Sequence, residues 1–313
     1  MDLNQKRVVV TGGAGFLGHF VLKALEKRGV GDVFVPRSRD YDLTTEDGAS
    51  RLYADARPDV VIHLAAEVGG IGANLDNPGR YFFANMAMSL HLIEQARMHG
   101  IEKFVQTGTI CAYPCHTPVP FAEENLWDGY PEPTNAPYGI AKKAAMVMLD
   151  GYRRQYDLNS AYLLPVNLYG PRDNFDLHSS HVIPALIRKC ITARDSGADH
   201  IECWGTGSAS REFLYVDDMA EASLFLHNLD QDILITKTRP MLSQINIGTG
   251  IDITIKELAL AVKEVVGFDG EIVFDHAKPD GTLRKLMDVS LLSELGWKAS
   301  MSLKSGLKLS YAD

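Results

Sequence analysis

A strand, a glycine-rich turn and a helix follow one another without a gap near the start of the chain, and no other stretch constrains the fold as strongly. Val8-Val9-Val10 reads as a short buried strand, Thr11-Gly12-Gly13-Ala14-Gly15-Phe16-Leu17-Gly18 as the turn, and Phe20 to Lys27 as the helix. Glycines let a backbone approach a pyrophosphate closely. The helix start adds free N–H groups and the positive end of the helix dipole. The spacing is Gly-x-x-Gly-x-x-Gly (Gly12, Gly15, Gly18) rather than Gly-x-Gly-x-x-Gly. At the head of an α/β chain it predicts a doubly wound parallel sheet. A dinucleotide would lie at the sheet's carboxyl edge, held by Gly12, Gly15, Phe16, Leu17 and Gly18.

The second strand, Asp32 to Pro36, ends at Arg37-Ser38-Arg39. An acidic residue there would hold the ribose 2′-hydroxyl of NAD, whereas guanidinium groups suit an added 2′-phosphate. Arg37 and Arg39 therefore predict NADP(H); the plainer alternative for either is a solvated turn residue. Asp59 to Ala66 reads as a third buried strand, whose end, Leu64-Ala65-Ala66, leaves room for a cofactor passing over it. Gly69 to Asn74 reads as a flexible loop at the same edge, Tyr81 to Met98 as an amphipathic helix, and His63 as a core histidine.

A fourth strand, Lys103 to Gln106, leads into Thr107-Gly108-Thr109-Ile110-Cys111-Ala112-Tyr113-Pro114 and so carries hydroxyls to the ligand edge. Further on, Pro137-Tyr138-Gly139-Ile140-Ala141-Lys142 has helical apolar spacing through Leu149, which sets Tyr138 and Lys142 one turn apart on one face. An ammonium beside a phenol favours the phenolate, and such a tyrosine can exchange a proton with a carbonyl oxygen near neutrality. A lone Tyr-x-x-x-Lys is more often an exposed tyrosine and a solvated lysine. Thr109, ending the hydroxyl strand, would complete a Thr/Tyr/Lys set by donating to the same oxygen. Cys111, two residues on, points the same way if the chain stays extended.

Composition removes several function classes. Over 313 residues the net charge is −9 with no basic run, which argues against a nucleic-acid partner. Met1 to Arg7 lead into an apolar run without signal-peptide architecture, and no apolar stretch approaches the length that spans a bilayer. The four scattered cysteines, Cys111, Cys115, Cys190 and Cys203, lack Cys-x-x-Cys pairing and suggest reduced thiols in a cytoplasm. No metal site is expected; Asp217-Asp218 reads as a helix-capping pair.

These motifs together resemble the extended short-chain dehydrogenase/reductase superfamily and, within it, the GDP-L-fucose synthase family. The likeness runs through Val68-Gly69-Gly70-Ile71 and Glu132-Pro133-Thr134-Asn135 to Asn167-Leu168-Tyr169-Gly170-Pro171 and Asp173-Asn174-Phe175. It continues at Ser180-His181-Val182-Ile183-Pro184, Trp204-Gly205, Arg211-Glu212-Phe213 and Lys278-Pro279-Asp280-Gly281-Thr282. The resemblance implies that Tyr138 and Lys142 are the reductase pair, with Thr109 where that family usually has serine. It implies Cys111 as the epimerisation base and His181 as the acid. Asn167, Leu168, His181 and Lys142 would also meet the cofactor, and Val182, Arg188, Trp204, Arg211 and Asn167 the nucleotide sugar. A homodimer joined through the helices near Tyr81 to Met98 and Tyr138 to Tyr152 is implied as well.

The chemistry fits that implication. A ketone at C4 of a sugar acidifies the C–H bonds at C3 and C5, so a base on one face and an acid on the other invert both centres. A thiol must ionise to serve as the base, which a nearby Lys142 would favour, and histidine exchanges protons near neutrality. By themselves, a cysteine after a buried strand is more often inert packing and a histidine before Val-Ile-Pro more often a helix cap. Thr254 reads as the cap of a helix over 255–266, Ser290 as the opening of a short helix, and 182–189 as an amphipathic helix.

The expected organisation is an NADP-binding domain over 1–170 plus about 212–250, and a smaller α/β substrate domain over about 171–211 plus 251–313. The expected activity is NADPH-dependent 3,5-epimerisation and 4-reduction of a GDP-linked 4-keto-6-deoxy sugar. One rival is a 4-reductase without full epimerisation on a related GDP-sugar such as a 6-deoxy-heptose. A farther rival is an NADP-binding sensor without turnover.

Overall fold

A computed structural model of the protein describes residues 3–177, 179–278 and 280–312; Pro279 of the segment singled out above lies outside the described residues. The first half alternates strand and helix. β1 (Val8–Thr11) is followed by α1 (Phe16–Lys27), β2 (Val33–Phe34), α2 (Glu46–Ala56), β3 (Val60–His63), a short α3 (Ile71–Asp76) and a long α4 (Pro78–His99). β4 (Lys103–Thr107) leads into two 3₁₀ turns, Ile110–Ala112 and Glu123–Trp127, and then α5 (Ala136–Tyr156) and β5 (Ser160–Pro165). The second half runs β6 (Asn167–Tyr169), α6 (Val182–Ser196), β7 (His200–Trp204), β8 (Ser210–Tyr215), α7 (Val216–Asn228), α8 (Gln231–Lys237) and β9 (Gln244–Ile247). It closes with β10 (Asp252–Thr254), α9 (Ile255–Val266), β11 (Glu271–Asp275), β12 (Arg284–Lys285), α10 (Ser290–Glu294) and α11 (Leu303–Ala312).

Six strands pair in the order β2-β1-β3-β4-β5-β9, every pair parallel. β1, β3, β5 and β9 are buried along their whole length, as strands covered by helices on both faces must be. The winding reverses between β1 and β3, so the crevice for a ligand opens above their carboxyl ends. His63, fully buried in β3, shares a 2.7 Å hydrogen bond with the Thr11 hydroxyl, and desolvation holds its pKa well below the usual value, as expected of a core histidine.

Two separate apolar clusters form. The larger surrounds the parallel sheet; the smaller gathers Tyr169, Ile183, Ile187, Leu258, Val262 and Leu307 from β6, α6, α9 and α11. β8 is the wall between them, because alternate side chains of a strand point to opposite faces. Leu214 enters the larger cluster, while Phe213 and Tyr215 enter the smaller. Met287 and Leu292 return to the larger cluster late in the chain.

Several local readings change. Gly69 to Asn74 is not simply a flexible loop: α3 starts at Ile71, and the Asn74 amide donates to the Gly69 and Gly70 carbonyls at 2.7 and 3.0 Å. Asp217 and Asp218 do not cap α7, whose cap position is Tyr215. The Asp218 carboxylate instead accepts from the Ser300 and Met301 N–H groups at 3.1 and 2.9 Å, tying α7 to the C-terminal segment. Ser290 does open the short α10, with Val289 at the cap position. Thr254 does cap α9, in a reciprocal box with Glu257.

Candidate active site

The glycine turn is packed too tightly for side chains. A Cβ on Gly12, whose φ is +72°, would lie 2.7 Å from the Ala65 nitrogen, and one on Gly18 would overlap the Gly12 carbonyl oxygen. Gly15 occupies the cap position of α1 without a side chain, so the N–H groups of Phe16, Leu17 and Gly18 at the helix start lack i−4 partners. A Cβ on Gly13 would come within 2.8 Å of Val35, which brings the end of the second strand region to the turn. Arg37 and Arg39, just beyond, are exposed, and Arg39 stands 3.4 Å from the Asp40 carboxylate. A backbone cradle with free N–H donors, roofed by Leu64, Ala65 and Ala66 and flanked by two guanidinium groups, fits NADP(H).

The hydroxyl strand and the Tyr138 helix meet beside this cradle. A Cβ on Gly139 would overlap the Cys111 carbonyl, so α5 lies directly on the turn that carries Cys111. Tyr138 and Lys142 are both buried. The Lys142 ammonium donates to the Thr107 carbonyl at 3.2 Å and lies 6.0 Å from the Tyr138 ring centre. The expected depression of the phenol by this lysine is overturned: burial is the largest influence and raises the Tyr138 pKa, Cys111 raises it further, and only a hydrogen bond from Thr109 opposes them. Lys142 itself is pulled down to about 8 by desolvation. Both groups are held towards their neutral forms.

Cys111 does not continue an extended strand. The chain turns into the 3₁₀ segment Ile110–Ala112, and the Thr109 hydroxyl caps it by accepting the Cys111 N–H at 3.2 Å. Thr109 thus links the turn of Cys111 to the phenol of Tyr138. Burial of Arg211 in β8 lowers its pKa, while Lys142 is engaged with the Thr107 carbonyl.

His181 stands at the cap position of α6, yet its side chain makes no cap hydrogen bond, which removes the capping alternative. It keeps exposed surface while protein packed around it desolvates the ring and lowers its pKa. The Gly70 N–H donates to the Ser179 carbonyl at 3.3 Å, so the loop after β3 closes on the segment before His181.

Arg211 donates to the carbonyls of Ser210 and Asp280 at 2.7 and 3.4 Å. The Asp280 carboxylate in turn accepts from the Thr206 N–H and hydroxyl, both at 2.8 Å, and Lys278 lies over the exposed Trp204 ring at 5.4 Å. A connected line therefore runs from the Trp204–Thr206 segment through Asp280 to Arg211. Asn167 donates to the Glu212 carbonyl at 3.1 Å, Leu168 leans on the larger cluster and Val182 on the smaller. Arg188 is exposed on α6; its neighbour Lys189 is the one turned to β7, donating to the Glu202 carbonyl at 2.7 Å. Two surface hollows of about 280 and 220 Å³, around Arg57 and around Cys115, are lined by none of these residues.

Comparison with known proteins agrees with this geometry. The pattern of the NAD dependent epimerase/dehydratase family matches residues 8–246. The chain belongs to that family. Among its relatives, GDP-L-fucose synthase of Escherichia coli K12 is 41% identical over 309 residues, covering 99% of this chain and 96% of the relative. A GDP-6-OMe-4-keto-L-xylo-heptose reductase from C. jejuni superposes with a TM-score of 0.94 at 32% identity, covering 100% of this chain and 98% of the other. A GDP-mannoheptose C4 reductase from Campylobacter jejuni with NADP bound superposes at 0.91 and 31%, covering 100% and 98%.

Sequence reasoning missed three residues that this family member brings to the same edge. Lys189, Lys278 and Asp280 join Trp204 and Arg211 there, and only packing of α6 on β7 and of the 278–281 segment on β8 reveals it. The nearest signal in the sequence is the Lys-Pro-Asp-Gly-Thr run at 278–282. Among the described residues no cluster of metal-ligating side chains occurs and no helix is long and apolar enough to cross a membrane.

Proposed function

We propose that the protein uses NADPH to convert a GDP-linked 4-keto-6-deoxy-hexose by 3,5-epimerisation and 4-reduction, giving GDP-L-fucose or a close relative. The observation that carries this reading is the meeting of the Thr109–Tyr138–Lys142 set with the Cys111 turn at one sheet edge. A reductase alone needs the first group; the thiol has no task in hydride chemistry. The 41% identity to a GDP-L-fucose synthase supports the same substrate class.

In this reading Cys111 removes the protons at C3 and C5 in turn, and His181 returns a proton to the opposite face of each carbon. Thr109 and Tyr138 hold the C4 oxygen through both steps, so that charge developing on it meets preorganised donors. NADPH, when bound by the glycine turn, Arg37 and Arg39, supplies the hydride that reduces C4. Tyr138 then gives its proton to the C4 oxygen. Lys142 keeps a positive group within reach of the phenolate left behind, and desolvation to about 8 lets it pass a proton onward near neutrality. Trp204, Arg211, Lys189 and Lys278 line the path suited to a diphosphate and its nucleoside.

Residues 1–170 with the β8–β9 region form the cofactor-binding part in this reading, and the smaller cluster around α6 and α9 the sugar-binding part. The return of Met287 and Leu292 to the larger cluster favours assigning 286–299 to the cofactor side. We read the protein as a cytoplasmic homodimer. Phe83, Leu90 and Val147 are exposed apolar side chains on the paired helices α4 and α5, which favours pairing through those helices.

The second reading, a 4-reductase acting on a related GDP-heptose, draws on the heptose reductase of C. jejuni that superposes at 0.94. One experiment separates the two. NADPH absorbance is followed with GDP-4-keto-6-deoxy-mannose in D2O and the product examined by NMR. Oxidation with deuterium at C3 and C5 supports the epimerase-reductase. Oxidation without deuterium leaves a 4-reductase, and no oxidation with this sugar points to the heptose or to a non-catalytic NADP-binding protein.

A further inference from the structure

The buried polar groups around Cys111 form a circuit that the proposed chemistry does not itself use. Tyr113, two residues past Cys111 and buried, donates from its phenol to the Asn246 side-chain oxygen at 2.8 Å. Asn246, fully buried in β9, donates from its amide to the carbonyls of Phe121 and Asp288 at 2.9 and 3.1 Å. The residue before Asp288, Met287, donates its N–H to the Glu212 carboxylate at 2.9 Å. The other oxygen of Glu212 accepts the N–H groups of Thr249 and Gly250 at 2.5 and 2.7 Å. Glu212 adjoins Arg211 on β8. The path thus starts two residues past Cys111, crosses β9 and the 287–288 segment, and ends on β8, the strand of Arg211.

Two features mark the circuit as more than ordinary satisfaction of buried groups. A carboxylate that is 1% exposed with no cation bonded to it is costly to retain, and Glu212 is held only by N–H and hydroxyl donors. A Cβ on Gly248 would overlap a Glu212 oxygen, so the backbone is cleared to admit it. Its bonds also join the strand dividing the two clusters to the turn just past the last strand of the parallel sheet, the strand whose Asn246 accepts from Tyr113.

We propose that Tyr113 and Glu212 are positioning residues for epimerisation: the Tyr113–Asn246–Asp288 and Met287–Glu212 links fix the Cys111 turn relative to β8, the strand that carries Arg211. This rests on the reading of Cys111 as the base. Tyr113→Phe keeps the ring on Phe121 and deletes one donor, while Glu212→Gln keeps one accepting oxygen and turns an amide toward the Met287 N–H.

The test separates proton exchange from reduction. Enzyme loaded with NADP⁺ is given GDP-4-keto-6-deoxy-mannose in D2O, and deuterium entry at C3 and C5 is timed by NMR. The same variants, loaded with NADPH, then reduce a ketone mixture already equilibrated by the parent enzyme. Tyr113→Phe and Glu212→Gln are expected to slow exchange about tenfold, the scale of one lost positioned hydrogen bond, while reducing the equilibrated mixture at the parental rate. Unchanged exchange in both variants overturns the proposal. Equal loss of exchange and reduction also overturns it, because that pattern belongs to a general structural role. Cys111→Ser serves as the control: full exchange in that variant overturns the reading of Cys111 itself, and slow exchange there with normal exchange in Tyr113→Phe and Glu212→Gln rejects only the circuit.

Discussion

The Lys142 ammonium stands 6.0 Å from the centre of the Tyr138 ring and donates to the Thr107 carbonyl at 3.2 Å. The lysine is therefore anchored to the end of β4, the strand that delivers Thr109, and three parts of the reductase set share one support. Burial dominates both titrations, raising the phenol and lowering the ammonium to about 8. Tyr138→Phe removes the proton donor while keeping the ring, and NADPH oxidation should fall by about 10²–10⁴ with little change in melting temperature. Stopped-flow absorbance and a thermal melt check the pair of outcomes; a rate near that of the parent enzyme would remove Tyr138 from the mechanism.

Gly18→Ala tests the cradle. The added Cβ overlaps the Gly12 carbonyl, which must shift and open the turn. The dissociation constant for NADPH, read by fluorescence titration, should rise at least about tenfold. Gly31→Ala, at a glycine with open space around its Cβ position, should leave it unchanged.

In the proposed reading Arg37 and Arg39 hold the 2′-phosphate. Replacing both by serine should lower kcat/KM for NADPH relative to NADH by roughly 10–100-fold, the loss of charge-assisted phosphate contacts. An unaltered ratio in steady-state kinetics would return both arginines to the solvated turn.

Glu123 gives a pH-dependent stability difference. Burial lifts its carboxyl from 4.5 to about 7 in the folded protein, so its stability contribution is complete below 4.5 and is lost as pH rises through 7. Glu123→Gln keeps an oxygen for the Asn246 N–H, now 3.1 Å away, and avoids the buried charge. It should match the parent protein near pH 4.5 and exceed it above pH 7 by on the order of 1–2 kcal/mol. Urea midpoints across that range measure the difference, and an advantage largest at low pH would refute the assignment.

Phe83 is 55% exposed on α4, an apolar surface in want of a cover if the protein pairs through α4 and α5. Phe83→Asp should convert a dimer into a monomer in sedimentation velocity without loss of helicity. A parent protein that already sediments as a monomer would end the dimer reading.

Much of the fold was legible from periodicity and composition. Val8-Val9-Val10 with its glycines, Val60 to His63 and the Tyr138 helix carry local signals that hold wherever they are packed, and each became the expected element. The Thr254 cap was equally legible, since a threonine three residues before a glutamate specifies its own hydrogen bonds. Asp217-Asp218 misled because a carboxylate near a helix start caps only if nothing better is near, and Ser300 and Met301 are.

What the sequence by itself determined is the chemistry available: a phosphate cradle, a Thr/Tyr/Lys set, a thiol, a histidine and a scatter of arginines. Tertiary structure alone decided which of these meet. β8 alternates its side chains between two clusters, and the segment around Asp280 packs on it so that Arg211 reaches the Asp280 carbonyl, while Lys142 turns to Thr107. It also decided the sign of the Tyr138 shift, because desolvation depends on what covers a group and no spacing along the chain encodes that. Local motifs fix short-range geometry through the backbone; contacts between distant segments and the solvent they exclude exist only once the chain has closed.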